Sequence, residues 1–140
     1  MSKPILFSYS LFLVIGFVCA FVTQSTAQQD GYYALRCEYL TNPIGIDAAT
    51  PRFTWKIRDD RMGARQTTYR IVVGLDSVAV ADGKGDQWDS GERTSDVNLV
   101  SYDGKALKPF TRYYWTIQGK DAAGRLYPNA PVASFETGLM

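Results

Sequence analysis

The sequence predicts an all-β fold, a two-sheet sandwich of about seven short strands, and three observations carry that prediction. In the stretch LKPFTRYYWTIQGKDAAG, Tyr113, Trp115 and Ile117 alternate with Arg112, Tyr114, Thr116 and Gln118, the period of two expected of a half-buried strand. Leu107 and Pro109 stand just ahead of that strand, so Tyr113 is placed where a sandwich tyrosine returns its hydroxyl to the backbone of the preceding corner. Elsewhere, short alternating runs recur between turn residues, and no segment has the apolar spacing of a convincing amphipathic helix.

Taken in order, Gln28 to Tyr33 reads as a polar and aromatic lead-in, and residues 35–40 read as the first strand, with Leu35, Cys37 and Tyr39 on one face. Residues 41–51, TNPIGIDAATP, contain two prolines and a glycine and form a turn-rich connection. Phe53, Trp55 and Ile57 then alternate with Arg52, Thr54, Lys56 and Arg58. Residues 66–74 form the third strand, with Tyr69, Ile71 and Val73 on one side. Residues 75–81 suit either one helical turn or an edge strand. DGKGD, residues 82–86, is a loop by composition. Short strands follow near Trp88 and over 97–102, then the corner and strand of 107–120, a loop over 122–131, and a last strand in which Ala133, Phe135 and Thr137 alternate. This count and spacing fit an immunoglobulin-like or fibronectin type III-like sandwich.

The first 27 residues read as a secretory signal. Lys3 supplies the positive start, residues 11–22 are almost wholly apolar, and Ser25, Thr26 and Ala27 offer a cleavage site before Gln28. The expected location is therefore secreted or periplasmic, with no membrane attachment after cleavage. Removing 27 of 140 residues leaves 113, enough for one domain, which is placed at residues 35–140 with 28–34 as its lead-in. The signal carries one lysine and no acid, which leaves 14 Lys and Arg against 14 Asp and Glu. Nothing in that balance draws nucleic acid or an anionic membrane. Cys19 leaves with the signal and Cys37 remains, without an internal partner; its place on an apolar strand face predicts burial.

The chain contains no histidine, which removes Ser-His-Asp and Cys-His arrangements and the commonest zinc ligand together. Two carboxylates suffice for glycoside hydrolysis, and Glu38, Asp47, Asp76, Asp89, Glu92, Asp96, Asp121 and Glu136 are available. Most fall at strand ends or turns, where an acidic side chain binds nearby backbone N–H groups. DGKGD lacks the alternating acids and the central glycine of an EF-hand loop. Trp55 and Trp115 lie on apolar strand faces and are read as core. Trp88, in a turn, and the outward Tyr114 are the candidates for a sugar-stacking platform. No catalytic, cofactor-binding or metal-binding residue is assigned, and no cofactor is expected.

Four stretches occur in a specific order: Asn-Pro-x-Gly-Ile-Asp within RCEYLTNPIGIDAATPRFTWKI, Gln-Thr-x-Tyr-Arg-Ile within RQTTYRIVVG, Trp-Asp-Ser-Gly within WDSGE, and the closing Phe-Glu-Thr-Gly-Leu. Together they resemble the N-terminal β-sandwich module of bacterial α-L-rhamnosidases of glycoside hydrolase family 78, over essentially all of residues 35–140. The resemblance implies a parent enzyme that removes terminal L-rhamnose from plant glycosides or polysaccharides by inverting hydrolysis. It also implies that the catalytic acid and base lie in a downstream helical domain, so no catalytic residue is carried over to this chain. The expected role is a non-catalytic accessory module, with the downstream domains of the same enzyme as partners, and the sequence looks like the front end of such an enzyme. A stand-alone carbohydrate-binding module, with carbohydrate as its partner, and a plain fibronectin type III-like spacer or adhesion domain remain alternatives.

Overall fold

The computed structural model describes residues 29–128 and 130–140, and the expected signal segment lies outside them. Nine strands and one short helix follow in the order β1 (Gly31–Cys37), β2 (Ile44–Ile46), β3 (Arg52–Arg58), β4 (Gln66–Gly74), α1 (Ser77–Ala81), β5 (Trp88–Asp89), β6 (Arg93–Thr94), β7 (Leu99–Ser101), β8 (Arg112–Asp121) and β9 (Ala133–Thr137). One sheet has the order β1-β3-β7. The other runs β2-β9-β8-β4-β5, with β6 pairing β4 beside β5. This is an immunoglobulin-like sandwich, and its core is aromatic. Phe53 and Trp55 from β3 meet Ile71, Val73, Tyr113, Trp115, Ile117 and Phe135 from the facing sheet, all fully buried. Phe53 packs with its ring centroid 4.5 Å from Trp115 and 5.7 Å from Phe135.

The strongly patterned strands lie where the alternation puts them. β4 spans the expected residues 66–74, and the face Tyr113, Trp115, Ile117 of β8 points inward. The corner is formed: Lys108 N donates to the Tyr113 hydroxyl at 2.8 Å, and Tyr113 stacks on Phe135 with centroids 5.1 Å apart.

The first strand differs from the expectation at both ends. It starts at Gly31 rather than Leu35 and stops at Cys37. Ala34 sits at a positive φ of 49°, and the pairing with β3 shifts register between Tyr33 and Arg36, a bulge. The bulge changes the phase of alternation, so Tyr32 faces inward before it and Leu35 and Cys37 after it. No period of two spans such a break. Beyond Cys37 the chain turns back at once. Glu38 and Tyr39 both hold positive φ, and Cys37 and Leu40 exchange backbone hydrogen bonds, the arrangement of a type I′ turn. Tyr39 is therefore an exposed turn residue, not a third member of the inward face. An arginine replaces the usual Asn-Gly chemistry as the stabiliser. The Arg52 guanidinium forks onto Glu38 at 2.7 and 3.1 Å and lies 4.8 Å from the Tyr39 ring centroid.

The structure also settles residues 75–81 as a helical turn. Asp76 caps it by accepting from Val78 N and Ala79 N. Val80 of that turn is fully buried, as is Val72 of β4, whose side chain points away from the inter-sheet core. β2 escaped the sequence reading because it is three residues long, in a Pro- and Gly-containing segment, and pairs parallel to β9.

Candidate functional site

Hydrolytic chemistry requires a carboxylate able to give or take a proton at a reacting oxygen, so the environment of each candidate decides what it can do. Asp76 is spent on the cap of α1. Asp47 accepts from Met140 N at 3.1 Å. Asp121, at the end of β8, is buried and accepts from Arg61 Nη1 (2.8 Å), Arg125 Nε (3.2 Å), and the backbone N–H groups of Ala123 and Arg125. Arg61 also forks onto Asp59, so this cluster fastens the β3–β4 loop to the β8–β9 loop.

Four of the five remaining acids are surface partners. Glu38 pairs with Arg52, Asp89 with Arg70 (2.6 Å), Glu92 with Lys120 (2.6 Å) and Glu136 with Arg112 (3.0 Å). Hydrogen bonds from these arginines hold the Glu38 and Asp89 carboxyls below the usual carboxylate range, and the Arg61 side chain does the same to Asp59. A general acid needs the opposite shift, toward neutral pH. Asp96 is exposed between β6 and β7.

Cys37 is 1% exposed, and burial pushes its thiol up to about 12, with the nearby Glu38 charge adding to the effect. A thiol held protonated is no nucleophile. Among the described residues, no group of three or more His, Cys, Asp or Glu is placed to hold a metal. No helix among them is long and apolar enough to cross a membrane.

The aromatic platform does not assemble around Trp88. The Trp88 ring stands 5.4 Å from Tyr102 and 6.4 Å from Phe53, so it closes one side of the core. Tyr114 is half-buried on the outer face of β8. A groove of about 480 Å³ lies elsewhere and is lined by Arg70, Asp76, Lys84, Asp86 and Asp89 with glycines between them. Its acids are committed: Asp89 to Arg70, Asp76 to the helix cap, and Asp86 to Leu75 N at 3.0 Å.

One polar residue, which the sequence shows only as the start of the Gln-Thr-x-Tyr-Arg-Ile motif, ties the two sheets together. Gln66 is 5% exposed, and its Oε1 accepts from Tyr32 Oη and from Trp55 Nε1, both at 3.1 Å. Its Nε2 donates to Val97 O at 3.0 Å and Ser95 O at 3.4 Å. Gln66 opens a strand whose first half is polar throughout, so nothing local marks it out, and its partners come from β1, β3 and the β6–β7 segment, which no local pattern brings together.

A family model described as the Rha78A-like, N-terminal immunoglobulin domain matches residues 32–140. The chain belongs to this family. An α-L-rhamnosidase of Streptomyces avermitilis is 41% identical to this Rha78A-like domain over 104 residues, covering 74% of the chain and 10% of the enzyme. An α-L-rhamnosidase of Formosa agariphila is 29% identical over 139 residues, covering 99% of the chain and 14% of the enzyme. The solved structure of α-L-rhamnosidase from Dictyoglumus thermophilum superposes with a TM-score of 0.75 at 36% identity, over 79% of this chain and 12% of that one. The Rha78A-like domain thus spans roughly a tenth to a seventh of the length of these relatives. The motifs Asn-Pro-x-Gly-Ile-Asp and Phe-Glu-Thr-Gly-Leu lie side by side in it, as β2 and its approach pair with β9.

Proposed function

We propose that this chain serves as the N-terminal accessory sandwich of an α-L-rhamnosidase, supporting the catalytic part of the enzyme without performing hydrolysis itself. The observation that carries the reading is the match of residues 32–140 to the N-terminal immunoglobulin domain of such proteins. The chemistry of the chain supports it. Seven of its eight candidate carboxylates are engaged by arginine, lysine or backbone N–H groups. Glu38 and Asp89 among them are shifted away from the range of a general acid. The substrate of the whole enzyme would be a terminal α-L-rhamnoside. Residues 1–27 would act as a secretory signal, which puts the enzyme outside the cytoplasm. The test is to incubate the purified chain with an aryl α-L-rhamnoside and follow release of the phenol. No release above buffer is expected; turnover that copurifies with the chain and survives removal of contaminating hydrolases would sink the proposal.

A further inference from the structure

The strand registers bring four of the exposed apolar residues to one end of the larger sheet. β4 ends at Gly74 opposite Tyr114 near the start of β8, while Arg112 at the start of β8 pairs with Glu136 near the end of β9. β2 ends beside β9, with Ile46 paired to Thr137. The residues flanking these strand ends are Leu75, Phe110, Leu139 and Ile44; the last three are 72–75% exposed. Backbone bonds fix this end, with Phe110 N donating to Gly138 O and Gly138 N to Ile46 O. The Arg112–Glu136 ion pair borders Ile44 as a polar rim.

Phe110 makes the arrangement costly to the domain alone. It holds a φ of 49°, the left-handed region that a bulky side chain avoids, while leaving its ring in water. A turn built only for stability would place asparagine or glycine there. Such strain is retained where a side chain has a task beyond folding. The position of this end supplies the occupant. The family model describes an N-terminal domain, and the match covers only 10% and 14% of the two rhamnosidase relatives, so in an enzyme of this kind further polypeptide would continue from the end of β9, beside Phe110 and Leu139.

We propose that Ile44, Leu75, Phe110 and Leu139 form the face against which the remainder of an α-L-rhamnosidase polypeptide packs. The inference rests on the accessory-module reading, and it names the surface that does the supporting. Interfaces of this kind have an apolar centre and a polar rim, and Met62, exposed in the β3–β4 loop at the opposite end, serves as the control position.

The test measures binding of the chain to the Streptomyces avermitilis α-L-rhamnosidase from which the matched 104 residues have been removed. The chain is expected to bind, Phe110→Asn with Leu139→Asn to weaken binding about tenfold or more, and Met62→Asn to leave it unchanged. The same variants are also placed in that enzyme carrying residues 32–140 as its N-terminal domain, in case the shortened enzyme does not fold. There the Phe110/Leu139 pair should lower the melting temperature of the enzyme but not that of the isolated chain. Equal behaviour of the two sets of variants in both settings overturns the proposal. So does sedimentation showing that the wild-type chain dimerises through this face, with the dimer lost in Phe110→Asn. An active graft insensitive to these variants would discard the docking face and leave the accessory-module reading intact.

Discussion

At the residue scale the domain is held by a few polar atoms inside an aromatic core. Gln66 satisfies Tyr32 and Trp55 from the opposite sheet while anchoring the β6–β7 segment. Gln66→Leu would strand a buried hydroxyl and an indole N–H, each costing about 1–3 kcal/mol when unsatisfied. We expect a loss of roughly 2–4 kcal/mol in a urea melt, and an unchanged midpoint would mean that the hub is dispensable. Tyr113→Phe removes only the bond from Lys108 N and keeps the stack on Phe135, so about 0.5–1.5 kcal/mol should be lost. Tyr113 was legible in the sequence because its corner is local, five residues from Lys108. Gln66 was not, because its partners lie 11 to 34 residues away.

At the element scale, what local alternation could show is what the sequence yielded. β3, β8 and β9 carry unbroken inward faces, β4 carries one from Tyr69 onward, and all four were placed within a residue or two. The failures share a cause, since each element involved interrupts the period or depends on a distant neighbour. The bulge at Ala34 hid the start of β1, and a I′ turn made of Glu38 and Tyr39 hid its end. β2 exists only because β9 lies beside it. Gly119 shows how tightly the central pair is set. A Cβ there would stand 2.3 Å from Thr68 O of β4 and 2.2 Å from the Tyr32 hydroxyl. Because one obstacle is backbone, Gly119→Ala must part β4 from β8 and displace the Gln66 hub. A loss of about 2 kcal/mol or more is expected, with weakened hydrogen-exchange protection along β4; protection equal to wild type would contradict the packing described.

At the scale of the whole molecule, charge sets the acid limit of stability and the buried thiol contributes to the alkaline one. Glu38, Asp59 and Asp89 have folded values below those of the unfolded chain, owing first to hydrogen bonds from Arg52, Arg61 and Arg70. Their contribution is therefore present above the unfolded carboxyl range, near pH 4, and is lost as pH falls through the depressed values. Cys37 is raised, so its contribution holds below the ordinary thiol value of 9.0 and is lost as pH rises toward about 12. Urea midpoints should be nearly flat from about pH 5 to 8 and fall on both sides. Added salt should shrink the acid limb, because these ion pairs are solvent-accessible. A midpoint that rises on acidification would contradict the pairing.

The function was legible to the extent that it is written in turns. The four ordered motifs are structural: the approach to β2, the strand β4, the Trp88 turn and the end of β9. They identify the domain. The most direct measurement is to replace the matched segment of the Streptomyces avermitilis α-L-rhamnosidase with residues 32–140 and assay both the graft and the isolated chain on an aryl α-L-rhamnoside. An accessory sandwich predicts an active, stable graft and an inert isolated chain. An isolated chain that hydrolyses the substrate, or a graft no better than the enzyme lacking its N-terminal domain, would contradict it.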